Sequence, residues 1–292
     1  MVSLNKSLQK KAQTKVLIRN ILFMLPAFLL LFFVIIIPFF QGIPYSFTNW
    51  KSMLSSQKEN IGFKNYRLLL TDSHFLETFG NTFSYTFFYI IIANALGLAF
   101  ALLLQNSNIF NNFSRTIVFL PFTVSLVASA IVWNYVYSDI YSVLFDKINP
   151  FGLSEQVIGA MVGVGVWRDT GYCMLIFIAA LTTIPKDYYE AALIEGASPF
   201  YRFIRITLPL IIPAFTANVT LLLAWGLRLF DLPMAVARNM QSAETTTMYI
   251  YDYIFGFSKA GYGQAAAIIT TIVLLVLTQL VTKIFRRMEV EA

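Results

Sequence analysis

Two arginines stand inside otherwise apolar stretches of this 292-residue chain. Arg168 is the twelfth residue of the run that starts at Val157, and Arg228 lies late in the run that starts at Leu208. An arginine at membrane depth costs about 2.5–3.5 kcal/mol on insertion scales, so each should face a protein interior or a wet cavity. A guanidinium fork placed there binds carboxylates in pairs of hydrogen bonds and also bonds hydroxyls. Asp169 follows Arg168 but points roughly 100° away on a helix, while Tyr172, one turn on, shares the arginine's face. Asn218, Leu221, Trp225 and Arg228 form one stripe, with Asp231 three residues beyond, and Trp133 and Asn134 lie toward the end of an earlier apolar run. Aromatic faces beside hydrogen-bonding groups suit a ligand with an apolar ring face and a polar rim, as a sugar has. The candidate path is therefore Arg168, Tyr172, Trp225, Asp169, Arg228, Asn218, Trp133 and Asn134. Arg228 has Asp231 at i+3, whereas Arg168 has no acid at i±4 on its own helix. An uncompensated Arg168 favours an acidic ligand; an interhelical ion pair, or bonds to hydroxyls, leaves a neutral one.

Other chemistry is excluded by what the chain lacks. One cysteine, Cys173, cannot make a disulfide framework or a cysteine-rich metal site, and one histidine, His74, cannot make an HExxH zinc site. No G-x-x-x-x-G-K-[ST] run is present, so the chain has no P-loop of its own. No catalytic residue, metal or cofactor is expected in it. An ion-coupled secondary transporter, the less favoured alternative, needs intramembrane carboxylates and commonly internal repeats, and the apolar runs carry only Asp169 and, at an edge, Asp231.

The elements that must position these residues are membrane helices. The chain is 58% apolar and 12% charged, with a mean hydropathy of +0.67, too little charge for a water-facing globule. Six apolar runs are long enough to span at ~20 residues each: Ile21–Phe40, Thr82–Leu104, Ile117–Tyr137, Val157–Ile184, Leu208–Leu232 and Gly263–Ile284. The expected organisation is a tail at 1–20, a first helix at 21–43, an outer loop at 44–80, a five-helix core at 81–285 and a second tail at 286–292. Lys6, Lys10, Lys11, Lys15 and Arg19 before the first run, and Lys283, Arg286 and Arg287 after the last, place both termini in the cytoplasm by the positive-inside rule. Lys51, Lys58, Lys64 and Arg67 in the first outer loop weaken that margin. The net charge of +6 thus reads as membrane orientation and not as a nucleic-acid footprint. Asn65–Phe79 and Met248–Phe257, rich in aromatics, are expected as short interfacial helices that anchor the chain in lipid or dock a partner.

Between the fourth and fifth runs the sequence reads as helix–turn–helix. Pro185 suits a helix start, and Asp187 and Glu190 fall in the first turns, where the helix dipole favours anions. Gly196 is a left-handed stop, and Ser198-Pro199 an N-cap followed by the first residue of a new helix. Ala191 and Ala192 make one face of this knob smooth, so that another protein can approach closely.

The same stretch carries a family pattern: Glu190-Ala191-Ala192, Gly196 after three residues, Ile206 after nine more, and Leu208-Pro209 after one. It resembles the signature of the inner-membrane permeases of binding-protein-dependent ABC importers. Phe47-Thr48-Asn49-Trp50, Gly62-Phe63-Lys64-Asn65-Tyr66, Gly80-Asn81-Thr82, Tyr188-Tyr189, Phe230-Asp231 and the terminal Arg286-Arg287-Met288-Glu289-Val290 are similar to the carbohydrate branch of that family, of maltose and multiple-sugar type. The likeness covers about residues 20 to 290. Where many carbohydrate permeases have Gly-Gly-Pro soon after the fifth span, this chain has Ala237-Arg238-Asn239, which puts the substrate in doubt more than the family. The resemblance implies an all-α membrane protein with six transmembrane helices, the type I importer permease fold and a cytoplasmic coupling helix within 185–209. It implies a second homologous permease, two ATPase subunits that bind ATP and magnesium, and an extracellular substrate-binding lipoprotein or periplasmic protein. The coupling residues it implies are Asp187, Glu190, Ala191, Ala192, Glu195, Gly196, Ile206, Leu208 and Pro209.

Overall fold

The computed structural model describes residues 2–52, 55 and 58–289, without the side chains of 2–15 and 18. The side chains of Lys6, Lys10, Lys11 and Lys15, and the residues Val290 and Glu291, lie outside the described residues. Among the described residues the chain is helical, with one isolated antiparallel bridge between Thr48 and Asn60.

Helix α1, Val2–Leu31, passes through a π turn at Phe32–Ile36 into α2, Ile37–Ser46. The expected tail and first span are thus one helical path; its most apolar stretch, within Arg19–Ser46, holds no buried residue, while Gly42 and Ser46 near its end are buried. Three more helices are long and apolar enough to span: α4 at Ser73–Leu104, α8 at Val157–Thr183 and α15 at Ala260–Arg286. α4 begins nine residues before the apolar run because Asp72 caps it, its carboxylate accepting from the backbone N–H of His74 and Phe75.

The third and fifth spans differ from the straight helices expected. α5 (Ile109–Phe119) continues as a short 3-10 turn to Thr123, and α6 (Leu126–Tyr135) leaves at 102° to that direction. Pro121 removes an amide, and Ser125 caps α6 by accepting from Ala128 N–H, so two helix ends meet where one helix was expected. In the fifth span the segment Pro199–Leu210 and helix α12 (Ile212–Gly226) meet at 59°. α12 stops at Gly226, six residues short of the expected end. Leu227–Phe230 turn away, held by the Thr245 hydroxyl bonding the Leu229 carbonyl, and the short helix α13 starts at Asp231. With each bent pair counted as one span, the described residues supply six.

The core sits along α8, 56% of whose most apolar stretch is buried, mainly against α4. At one end of the bundle α3 (Lys64–Thr71) and α14 (Thr246–Tyr251) occupy the two expected interfacial segments and pack on each other's neighbours. Asp72 accepts from the Tyr249 and Tyr262 hydroxyls at 2.6 and 2.8 Å, and His74 Nε2 lies 2.6 Å from Glu244 Oε2. Burial alone would raise the Asp72 carboxyl, but the two tyrosine hydroxyls and the Phe75 and His74 amides outweigh it and hold the group below its usual range.

Candidate functional site

Midway along α8, Tyr172 stacks on Phe122, with ring centroids 4.9 Å apart and planes at 27°. Trp225 of α12 closes the group, its ring 5.6 Å from Tyr172 and 6.0 Å from Phe122. Three half-buried rings from three spans thus form one platform. Arg168 stands at its edge, the guanidinium carbon 5.5 Å from the Phe122 centroid, in cation–π range. The platform exists because the break in the third span swings Phe122 toward α8, and because α8 allows the approach at Gly171. A methyl group there would overlap the Val118 carbonyl oxygen and lie 2.6 Å from Phe119 Cα.

The charges are arranged differently from the sequence expectation. Asp169 was expected to point away from Arg168, yet Arg168 Nη1 lies 3.1 Å from Asp169 Oδ1. A long guanidinium stem reaches back around the helix, so adjacency does not prevent pairing. Asp169 itself is 2% exposed and also accepts from the Tyr89 hydroxyl on α4, so it faces the α4–α8 seam and not a path wall. Asn218 leaves the expected stripe as well: it is 0% exposed, and its Nδ2 donates to the Cys173 carbonyl of α8 at 3.4 Å. Arg228 lies beyond α12, exposed, in a turn where its Nε donates to the Ala224 carbonyl. Among the described residues it forms no ion pair with Asp231. Trp133 packs edge-on to Trp167 at 5.8 Å, and Asn134 Oδ1 accepts from Asn149 Nδ2, so these two form a separate group. Of the eight expected path residues the structure brings Arg168, Tyr172 and Trp225 together. It adds Phe122, which one phenylalanine among 28 could not announce; the Pro121 and Ser125 that flank it were the only local sign.

The second candidate site is the knob. Helix α9, Lys186–Ile194, follows Pro185 and carries Asp187 in its first turn. It ends in a Schellman turn: Ala197 N–H bonds the Ala192 carbonyl at 2.9 Å, Gly196 N–H bonds Leu193 at 3.0 Å, and Gly196 has φ +76°. Ser198 Oγ then accepts from Tyr201 N–H and caps α10, Pro199–Arg202. No residue of α9 is buried; Glu190, Ala191, Glu195 and Gly196 are exposed, and Ala192 half-buried. Ile206, within a π turn at Phe203–Thr207, and Leu208-Pro209, between that turn and the 59° bend, lie deeper, with Leu208 packed on the core. Tyr189 reaches back from the knob, its hydroxyl 2.9 Å from Thr207 Oγ1, a tie the spacing pattern did not single out.

Among the described residues no group of His, Cys, Asp and Glu is placed to hold a metal ion. Residues 93–290 match the family described as binding-protein-dependent transport system inner membrane component. The chain is 32% identical over 278 residues to the probable starch degradation products transport system permease protein AmyD of Thermoanaerobacterium thermosulfurigenes, covering 92% of this chain and 94% of that one. It is 30% identical over 263 residues to the multiple sugar-binding transport system permease protein MsmF of Streptococcus mutans, with 87% and 90% covered. Among solved structures, a chain of a bacterial ABC transporter involved in import of the acidic polysaccharide alginate superposes with a TM-score of 0.80 at 21% identity, covering 96% of this chain and 99% of that chain. At that identity the likeness is one of fold, and it is the fold of an importer permease. With the match spanning most of the chain and relatives aligned nearly end to end, the chain belongs to the binding-protein-dependent transport system inner membrane components.

Proposed function

We propose that this chain is one permease half of an ATP-driven importer that passes a neutral sugar or oligosaccharide from an extracellular binding protein into the cytoplasm. The observation that carries the substrate class is the platform of Phe122, Tyr172 and Trp225, whose rings offer stacking faces for a pyranose. Relatives named for starch degradation products and multiple sugars support the same class. The ion pair between Arg168 and Asp169 removes the reason to require an acidic ligand, because the cation already has its counter-charge. A second homologous permease completes the pathway, consistent with a first span whose most apolar stretch has no buried residue and so presents its surface to lipid or a partner helix.

α9 is the coupling helix on this reading. It projects at the cytoplasmic side, with both termini on that side, and docks on one of two ATPase subunits, which bind nucleotide and magnesium and carry out hydrolysis. This chain performs no covalent step; it is a gate whose two forms are biased by nucleotide on one side and by the loaded binding protein on the other. The test is reconstitution with the partner subunits in vesicles, followed by uptake of labelled neutral maltodextrins, uronate oligosaccharides and amino acids. ATP-dependent uptake of the neutral glycans alone supports the reading. Uptake of uronates in preference to neutral glycans overturns the neutral class, and uptake of amino acids alone overturns sugar transport.

A further inference from the structure

The break in the third span leaves backbone groups to be satisfied in a region where water is scarce. The Leu120 carbonyl accepts from the Thr123 hydroxyl at 2.8 Å, and the Pro121 carbonyl from Val124 N–H at 3.1 Å. The Val124 carbonyl would be the helical acceptor of Ala128 N–H, but that amide is taken by the Ser125 side chain at 3.2 Å. The partner Val124 finds is on another span: Arg168 Nε donates to its carbonyl at 3.2 Å. The same guanidinium uses Nη1 for Asp169, and Asp169 is fixed in turn by Tyr89 of α4. Two residues before Val124 lies Phe122, the ring on which Tyr172 stacks and over which the guanidinium sits. The contact at Gly171 brings the two backbones together within one turn of Arg168.

We propose that Arg168 is a positioning residue: it bridges the buried Asp169 to the carbonyl freed at the break in the third span, and so fixes Phe122 in the ring platform. Its role is to hold the wall of the path in register, and substrate contact falls to the three rings. This rests on the reading of the rings as the sugar platform, but the bridge itself is a property of the substrate-free molecule and is testable without sugar.

The experiment is hydrogen–deuterium exchange on the assembled complex in lipid nanodiscs without substrate, paired with sugar uptake kinetics, for Arg168→Gln, Arg168→Lys, Asp169→Asn and Trp225→Ala. Loss of a charge-assisted bond to the half-buried Val124 carbonyl should raise exchange over residues 124–130 on the order of tenfold in Arg168→Gln. Asp169→Asn should raise it less, and Arg168→Lys, which keeps a cationic donor, should partly restore it. In Arg168→Gln, kcat for sugar should fall together with the rise in KM, because a misplaced wall affects passage as well as binding. Trp225→Ala should raise KM with unchanged exchange at 124–130; absence of any sugar effect there would count against the platform reading and leave the bridge standing. Unchanged exchange in both Arg168→Gln and Asp169→Asn, with only KM raised, would make Arg168 a direct substrate contact and overturn the proposal. If Arg168→Gln fails to assemble, the exchange result for Asp169→Asn and Arg168→Lys decides.

Discussion

At the end carrying α3 and α14, Asp72 accepts from two tyrosines and two backbone amides, Asn65 Nδ2 spans the Ser46 and Thr48 carbonyls, and Asn81 Nδ2 ties the Gln241 and Glu244 carbonyls. At the end carrying α9, no residue of the helix is buried, and Leu193 and Ile194 are among the exposed large apolar residues. One end closes on its own side chains; the other leaves apolar surface and a regular backbone waiting for something to cover them. An isolated helix of nine residues is marginal in water, so α9 leans on the Schellman turn that closes it and on the chain it is anchored to. The contrast teaches that stability and coupling are separable: substitutions at the first end should move melting, and those at the second should move transport with the fold intact.

The largest expected effect tests the open end. Glu190→Lys reverses a charge on the exposed face of α9; at the proposed docking surface a loss of about 2 kcal/mol corresponds to roughly thirtyfold weaker coupling. Uptake should drop by that order in vesicles while the isolated subunit's melting temperature is unchanged. Normal uptake together with normal stimulation of ATP hydrolysis would break the comparison.

Asp72→Ala tests the closed end and should cost about 1–2 kcal/mol, from a lost helix cap and two lost hydroxyl partners, read as a lower melting temperature in detergent. The effect has a pH signature. The Asp72 carboxyl is held below its usual range in the folded chain, so its contribution is present above the ordinary carboxylate value, near pH 4, and is lost as pH falls through the lower folded value. The gap between parent and Asp72→Asn should therefore be full at neutral pH and shrink in acid; a constant gap would show that the charge is not what matters.

Gly196→Val places a β-branched residue at φ +76°, a strain of about 1–2 kcal/mol with no steric clash, since nothing lies within 4 Å of the site. Exchange should quicken over α9 with global melting unmoved, and coupling should weaken by about tenfold at most. Tyr189→Phe removes the bond to Thr207 and should be the mildest, about 0.5–1.5 kcal/mol, seen as faster exchange at the start of α9.

What could be read from residue order follows the physics of each element. α15 is apolar over most of its length and α8 is interrupted only at Arg168-Asp169, and their ends fall close to those expected. The knob was legible because Pro185, Gly196 and Ser198 each do local work: start, left-handed stop and cap. The broken spans were not, because Pro121 is tolerated in many membrane helices and only the angle between Thr123 and Leu126 shows that here it ends one. Arg168 and Asp169 were misjudged because helical projection gives the direction of Cβ, not the reach of a guanidinium. Asn218 shares a stripe with Trp225 on paper, but which part of that stripe meets Cys173 is decided by α8, a neighbour the local sequence cannot see.

The knob can also be viewed as a mechanical part. Among the described residues its side-chain tether to the segment that follows is the Tyr189–Thr207 bond, near the start of α9, while its far end meets only the unobstructed Gly196 turn. Five to seven residues of helix beyond that pivot make a lever arm of roughly 8–10 Å at 1.5 Å per residue. A rotation of about 20° about Tyr189 would carry the tip some ~3 Å, as simple trigonometry on that arm gives. The tether ends at Thr207, immediately before Leu208 and the 59° bend into α12. On the proposed coupling role, a wide swing at the tip would become a small displacement at the root of the fifth span.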